Sequence, residues 1–330
     1  SSPRRQRQMC IRDRIYTNFL DEDGGVHADL TISRLGSDSY RVVTGGADGN
    51  RDWVTLRNYR DDNGLNADIN IRTHDVATIG LWGPKAANAL GNFIDPNDID
   101  IKNFPFVTAK NLTLNLSGEK KVDVWAARIS YVGESGWEIY FNNDKDDGLA
   151  LYDSLLEVGV IPVGIETYAN SRRLEKCFRL QGADLETEYN AIEAAIQRPL
   201  VKEADFHGKF AHLAHRKEDP CAILCTMTLD DLNVSGKTRY PVGISPIIDP
   251  ATGEVPIDSK GRRSYTTGMS YCPSIKKFVV MGYLPKQIAF KGKSLLIEYF
   301  NEDGDGLYPM TVQIVGKGSL YDPKNERVRS

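Results

Sequence analysis

Residues 131–140, with the sequence YVGESGWEIY, combine two carboxylates, three aromatic rings and two glycines. Side chains alternate along a strand, so Glu138 and Tyr140 lie on one face and Trp137 lies on the other. A carboxylate pairs best with two parallel N–H donors. The segment therefore predicts a pocket in which Glu138 binds the donor-rich edge of a flat ligand. A solvated glutamate at a strand edge is the simpler alternative.

Two further segments carry groups that could act in the same site. Residues 24–31, GGVHADLT, place Asp29 after two glycines, and residues 171–176, SRRLEK, contain Arg173. Asp29 is either a turn aspartate that satisfies its own backbone or a carboxylate that stabilises positive charge at a reacting atom. Arg173 lies two residues before Glu175 on a predicted helix, and exposed charges there would contribute little to stability.

In this order and spacing, the three segments resemble the folate-binding family of the glycine-cleavage T-protein, an aminomethyltransferase. The likeness is closest to the version fused to dimethylglycine and sarcosine dehydrogenases. Residues 319–329, SLYDPKNERVR, are similar to the tail of that version. The resemblance implies an α+β fold: a folate-binding aminomethyltransferase-like core in two α+β parts, followed by a C-terminal antiparallel β-barrel.

The resemblance also implies a role for each candidate residue, with tetrahydrofolate as the cofactor. Glu138 would hold the pterin 2-amino group and N3–H, and Glu134 is the second choice unless it only caps its own turn. Asp29 inherits the catalytic role alone, because the T-protein usually has two aspartates where this chain has Ala28 and Asp29. The other residues placed against the cofactor are Tyr131, Trp137, Tyr140 and Arg173.

The implied reaction is one-carbon transfer to tetrahydrofolate, which forms 5,10-methylenetetrahydrofolate. A small methylated amine, or the iminium derived from it, would supply the carbon. The iminium would come from a flavin domain upstream, and FAD is expected only there, because no G-x-G-x-x-G fingerprint occurs on a strand-turn-helix. The alternatives are a stand-alone aminomethyltransferase that works on a lipoyl carrier protein, and a folate-binding module without catalysis.

Composition narrows the class of protein. The chain has 330 residues, a formal net charge of −4 and five cysteines. The cysteines form no CxxC pair and are odd in number, which favours a reducing compartment: a bacterial cytoplasm or the mitochondrial matrix. We expect no nucleic-acid partner, no membrane association and no metal site, since apolar runs are short and the histidines are scattered.

The N-terminus has a different character from the rest. Residues 1–14 contain five arginines and one aspartate and are similar to translated sequencing-adapter DNA. We expect this tail to be non-native. The predicted domains are then an N-terminally incomplete folate-binding domain over residues 15–215 and a barrel over residues 216–330. Such a chain could be an inactive fragment.

The elements that must position these residues follow from local patterns. Residues 15–20 and 29–35 alternate as the two strands of a hairpin, and residues 122–129 form a strand that leads into the Glu138 segment. Apolar periodicity predicts helices over residues 48–59, 149–159 and 165–174. From residue 221 onward, short β runs with glycine turns predict the barrel. The polar residues 249–263 predict an exposed insertion.

Overall fold

The computed structural model describes residues 14–143, 145–229, 244–301 and 304–329. Residues 1–13 of the predicted tail lie outside the described residues. Arg14, its last residue, begins the first strand and is 4% exposed. The predicted end of the tail at residue 14 stays a prediction, as do the predicted domains over residues 15–215 and 216–330.

The first sheet has three antiparallel strands: β1 (Arg14–Leu20), β2 (Val26–Arg34) and β3 (Tyr40–Thr44). The β1–β2 turn uses Gly24 at φ +79°, a backbone conformation that glycine adopts without strain. The hairpin predicted over residues 15–35 is confirmed. Helix α1 (Gly49–Asp62) follows and confirms the helix predicted over residues 48–59.

The second sheet has four antiparallel strands in the order β4-β7-β6-β5. Alternation decides its two faces: Ile139 of β7 points into a core that includes Leu151 and Leu155 of α4, and Glu138 points the other way. The strands and helices of this unit are β4 (Val76–Trp82), α2 (Ala86–Leu90), α3 (Pro96–Ile99), β5 (Ala109–Asn115), β6 (Lys121–Ala127), β7 (Gly136–Asn142) and α4 (Lys145–Glu157).

A connecting region joins this unit to the last sheet. The predicted helix over residues 165–174 is present, but most of it is a π-helical turn, Glu166–Arg172, followed by the short α5 (Arg173–Glu175). Such wide turns leave the regular 3.6-residue period and occur often at functional sites. Helix α6 (Lys209–His215) ends just before the barrel.

The last sheet has six antiparallel strands in the order β10-β11-β8-β13-β12-β9. Residues 244–247 bond to residues 264–266, so the two outer strands meet and the sheet curls round an apolar core. The predicted α+β fold with a C-terminal antiparallel barrel is confirmed. The strands are β8 (Ala222–Leu229), β9 (Ile247–Ile248), β10 (Thr266–Cys272), β11 (Lys277–Pro285), β12 (Ser294–Asn301) and β13 (Gly304–Val315).

The insertion at residues 249–263 is mostly exposed, with buried ion pairs at one end. Arg262 pairs with Asp258 at 2.7 Å and with Glu193 at 2.5 Å, and both carboxylates are buried. Most of the segment is therefore exposed, as predicted, while ion pairs fasten Asp258 and Arg262 to the segment before the barrel.

Candidate functional site

Glu138 lies on the open face of β7 with its side chain 19% exposed. The hydroxyl of Tyr140 donates to its Oε2 at 2.6 Å, and Nη2 of Arg14 donates to the same oxygen at 3.0 Å. Within the described parts of the chain, no group donates to Oε1. The carboxylate is thus fixed through one oxygen while the other can accept from a ligand.

Trp82 forms a wall beside this carboxylate. Glu138 pairs across the sheet with Gly80, and the indole of Trp82 folds back over Gly80 on the same face. A Cβ at Gly80 would overlap the six-membered ring of Trp82. Nε1 of Trp82 donates to the carbonyl of Ile129 at 2.7 Å, which fixes the ring. The absence of a side chain at Gly80 therefore lets an aromatic surface lie next to Glu138.

Three more rings extend that wall. Tyr168 stacks on Trp82 with centroids 5.4 Å apart, and Tyr131 lies 5.5 Å from Tyr168. Phe178 stacks on the far side of Tyr131 at 5.9 Å. The hydroxyl of Tyr131 donates to the carbonyl of Arg179 at 2.7 Å, and burial raises its pKa. The structure places Tyr131 in an aromatic wall with Trp82 and Tyr168, which the sequence analysis missed, and the contact of Tyr131 with a cofactor stays a prediction.

Asp29 lies on β2 and accepts a hydrogen bond from the hydroxyl of Tyr16 at 3.1 Å. Burial raises the pKa of Asp29, and the nearby carboxylates of Asp48 and Asp52 raise it further. The Tyr16 bond and the charge of Arg51 act in the opposite direction. Its bond is to a side chain on the neighbouring strand, whereas a turn aspartate would bond its own backbone.

Strand β1 brings the two carboxylates to one site. Arg14 contacts Glu138 and Tyr16 contacts Asp29, and these two β1 residues lie on the same face of the strand. Residues two apart on a strand have Cα atoms about 7 Å apart. Asp29 and Glu138 are therefore held by neighbouring side chains of a single strand segment.

Open volume adjoins this face of the second sheet. A cavity of about 440 Å³ is lined by residues that include Tyr140, Trp125 and Arg41. Tyr140 packs edge-on against Trp125 at 5.1 Å, and the guanidinium of Arg41 lies 4.3 Å from the Trp125 ring. The residue that orients Glu138 thus also borders a space large enough for part of a ligand.

Trp137 does not belong to the wall. Its side chain is fully buried on the opposite face of β7, where it packs on Phe104 at 6.3 Å and under the guanidinium of Arg128 at 4.9 Å. The proposed contact between Trp137 and a cofactor is therefore corrected: alternation along the strand sends this ring into the core.

Glu134 is committed to a different contact network. It accepts from Nη2 of Arg172 at 2.9 Å and from the hydroxyl of Tyr321 at 2.6 Å, and Arg327 lies 3.5 Å away. These partners fasten the C-terminal segment to the connecting region. The structure brings Glu134 neither to Glu138 nor to Asp29.

Arg173 is 1% exposed, which excludes the interpretation as a surface charge. Its Nη1 donates to the buried carboxylate of Asp184 and to the carbonyl of Phe178, and its Nε donates to the carbonyl of Ala169 at 2.8 Å. Arg173 therefore anchors the end of the π-helical turn that carries Tyr168. It supports the aromatic wall from behind.

The described residues contain neither a candidate metal cluster nor a membrane-spanning helix. Among residues 14–143, 145–229, 244–301 and 304–329, no group of three or more His, Cys, Asp or Glu side chains could hold a metal ion. None of the helices in that part of the chain is long and apolar enough to cross a membrane.

The profile of the GCVT N-terminal domain family matches residues 6–203, which include both carboxylates and the aromatic wall. The chain belongs to this family. Its structure is similar to the crystal structure of glycine cleavage system aminomethyltransferase T from Bartonella henselae, with a TM-score of 0.73 and 21% identity. That match covers 93% of this chain and 76% of the other, and it supports the fold.

Two relatives show the range of contexts in which family members occur. Mitochondrial dimethylglycine dehydrogenase of Homo sapiens is 28% identical over 311 residues, which cover 90% of this chain and 32% of that protein. An aminomethyltransferase of Symbiobacterium thermophilum is 29% identical over 277 residues, which cover 82% of this chain and 68% of that protein. The chain thus spans about a third of the dehydrogenases it matches.

Proposed function

We propose that this chain binds tetrahydrofolate and accepts on it a one-carbon unit, forming 5,10-methylenetetrahydrofolate. The observation that carries the proposal is the arrangement of Asp29 and Glu138, each bonded to a side chain of β1 on the same strand face. One carboxylate can hold a ring edge while the other lies near a reacting atom. Family membership supports the same reaction class.

The residues present fit a reduced pterin. Its 2-amino group and N3–H form a flat donor edge, and Oε1 of Glu138 is without a donor in the described residues. The rings of Trp82, Tyr131 and Tyr168 provide apolar surface against which a flat ring can pack. With the donor edge at Glu138, the N5 side of the ring would lie toward Asp29, whose partner Tyr16 is two residues from the partner of Glu138.

The chemistry needs positioning more than activation. N5 attacks the electrophilic carbon of an iminium, and N10 then displaces the amine, so two C–N bonds form. Tetrahydrofolate loses two protons, one to the departing amine and one to solvent. Positive charge develops at the reacting nitrogen, and Asp29 would stabilise it. Holding both reactants in one site supplies much of the rate enhancement in such reactions.

The donor is proposed to be the iminium of a small methylated amine such as dimethylglycine or sarcosine. A flavin domain in another part of the polypeptide would make it, since oxidation of an N-methyl group transfers a hydride to FAD. The supporting observation is that the matched dehydrogenases are about three times longer than the part this chain covers. FAD would bind in that domain.

A second candidate is an aminomethyltransferase that takes its aminomethyl group from a separate lipoyl carrier protein. The similarity to the enzyme of Symbiobacterium thermophilum, which this chain covers to 68%, favours it. The two candidates share the folate site and differ only in the donor. Supplying either a dimethylglycine-oxidising flavoprotein or an aminomethylated lipoyl carrier, and measuring methylenetetrahydrofolate, distinguishes them.

The first experiment is a titration of the full chain with tetrahydrofolate, followed by tryptophan fluorescence, because Trp82 lies in the proposed site. Glu138→Gln should weaken binding about tenfold or more, since it replaces a charged acceptor. Asp29→Asn should leave affinity nearly unchanged and slow transfer by about 100-fold.

The outcomes separate the alternatives. A folded wild-type chain that does not bind tetrahydrofolate would contradict the proposal. If Glu138→Gln binds tetrahydrofolate as tightly as wild type does, the pterin does not contact this carboxylate. Binding without transfer from either donor would identify a folate-binding module without catalysis.

A further inference from the structure

Three residues lie side by side in one row across the first sheet, on the face that meets the second sheet. Ser33 of β2 pairs with Arg14 of β1 on one side and with Arg41 of β3 on the other. Residues that pair directly across antiparallel strands share a face and have Cβ atoms about 5 Å apart. The row therefore places a hydroxyl between two guanidinium groups.

Each side chain of this row carries a buried polar atom without a hydrogen-bond partner. Within the described residues, nothing bonds to Nε or Nη1 of Arg14, to Oγ of Ser33 or to Nη1 of Arg41. Arg14 is 4% exposed and Ser33 is 1% exposed, so bulk water does not reach them freely. Buried donors without acceptors destabilise a folded chain, and several of them in one row indicate a ligand that supplies the acceptors.

The guanidinium of Arg41 is held in position by aromatic rings. It lies 4.3 Å from the centroid of the Trp125 ring and 5.7 Å from that of Tyr140, and Arg14 lies 5.9 Å from the same Trp125 ring. Burial lowers the pKa of Arg41, and neighbouring arginines lower it further. Arg14 is paired with Glu138, whereas Arg41 forms no ion pair with a carboxylate of the described residues. An anion beside Arg41 would balance that charge.

The cavity of about 440 Å³ opens beside this row and sets the class of ligand. Arg41, Trp125 and Tyr140 line it, so an organic group there meets aromatic surface next to a cation. The planar fork of a guanidinium matches the two oxygens of a carboxylate. Asp123 also lines the cavity, and Glu138 bonds to Tyr140. These two negative charges disfavour a dianion such as phosphate.

We propose that the row of Arg14, Ser33 and Arg41 is a binding site for a small organic carboxylate, whose flat apolar part packs beside Trp125 in the cavity. Nη1 of Arg41 and the hydroxyl of Ser33 donate to the carboxylate, and Arg14 adds positive charge on the other side of Ser33. This ligand is separate from the folate. The inference does not depend on the proposed function, because neither Ser33 nor Arg41 is used to hold the pterin.

The test is a titration of the full chain with benzoate, beside its neutral isostere benzamide, at constant ionic strength. Tryptophan fluorescence reports binding, since Trp125 borders the cavity. Benzoate should bind at least tenfold more tightly than benzamide. Arg41→Met should weaken benzoate about tenfold or more, and Ser33→Ala should weaken it about three- to fivefold. Arg14 is left unchanged because it also bonds to Glu138.

Arg57→Met is the matched control. Arg57 also lies over a tryptophan ring, 4.8 Å from the centroid of Trp53, but its guanidinium bonds to the side chain of Asn58. This variant should bind benzoate as wild type does. Thermal melts of all forms confirm that each is folded before the affinities are compared.

Three results would overturn the inference. They are equal affinities for benzoate and benzamide, an Arg41→Met variant that binds benzoate as tightly as wild type, and inorganic phosphate that binds more tightly than benzoate.

A second titration shows whether the row belongs to the folate instead. Benzoate is titrated by calorimetry in the presence of saturating tetrahydrofolate. Equal or tighter benzoate binding shows two separate ligands, as proposed. Loss of benzoate binding would assign the row to the carboxylates of the folate itself and overturn the inference. A folded wild-type chain that binds benzoate but not tetrahydrofolate would contradict the proposed function and leave this site standing.

Discussion

The guanidinium of Arg14 and the carboxylate of Glu138 form an ion pair at 3.0 Å inside the candidate site. The Arg14 side chain is 1% exposed, and its Nε and Nη1 have no hydrogen-bond partner in the described residues. A guanidinium is flat and rich in N–H groups, as is the donor edge of a pterin. Arg14 therefore makes with Glu138 the kind of contact that the proposed ligand needs.

Replacing Arg14 by methionine should tighten tetrahydrofolate binding about five- to tenfold. The change frees Oε2 of Glu138 from one donor, and the difference corresponds to about one net hydrogen bond. Fluorescence titration measures it. Arg57→Met is a matched control, because Arg57 is a surface arginine of α1 that bonds to the side chain of Asn58. Weaker binding in Arg14→Met would mean that Arg14 holds the ligand instead of competing with it.

Replacing Glu134 by glutamine should lower the free energy of unfolding by about 1–2 kcal/mol and leave tetrahydrofolate affinity unchanged. Glu134 is 8% exposed and accepts charge-assisted bonds that tie Arg172 and Tyr321 together. Urea unfolding at constant slope gives the stability, and titration gives the affinity. If Glu134→Gln instead lost affinity for tetrahydrofolate and kept the stability of wild type, Glu134 would belong to the folate site.

Asp29→Asn should be more stable than wild type at pH 7, and the difference should shrink as the pH falls. Burial raises the pKa of Asp29 above its ordinary value of 3.8, so the folded state disfavours the ionised form. This penalty is absent below about pH 3.8, develops as the pH rises, and is complete above the raised pKa.

Urea midpoints of wild type and Asp29→Asn between pH 4 and pH 7 measure this difference. Asp38→Asn serves as the control, because Asp38 is exposed and should change stability little at any pH. A wild type that is the more stable form at pH 7 would show that the Tyr16 bond outweighs the burial of the Asp29 carboxylate.

Local pattern was sufficient to predict the part of the site that lies on strands. The hairpin that carries Asp29 followed from alternation and a double glycine, and β7 was predicted from YVGESGWEIY. The same alternation separated Glu138 and Tyr140 from Trp137. Alternation along the strand already placed the Trp137 side chain on the face opposite Glu138, which is sufficient to exclude it from the pocket. The prediction nevertheless assigned Trp137 to the cofactor, because the motif is rich in aromatic residues.

The rest of the site depends on contacts between distant segments. Tyr168 reaches Trp82 from 86 positions away in the sequence, and its π-helical turn breaks the period from which helix faces are read. Arg173 was predicted to contact the cofactor, with a surface charge as the alternative, because local pattern does not show its partner Asp184, which lies on a separate loop. A usable signal did exist at Gly80: a glycine two residues before a tryptophan, on a strand, leaves room for the ring to fold back.

Among the described residues, strand β1 is an edge strand that pairs with β2 alone, and its register sets more than one contact. Side chains change face with every residue along a strand, so a slip of one position would turn Arg14 and Tyr16 away from the site together. The side chains that bond to Glu138 and to Asp29 therefore both depend on the position of this one strand. A lesion that loosens this edge would change the surroundings of both carboxylates in one step: Glu138 would lose the donor that competes with the ligand, and Asp29 would lose its bond from Tyr16, although neither carboxylate had been mutated.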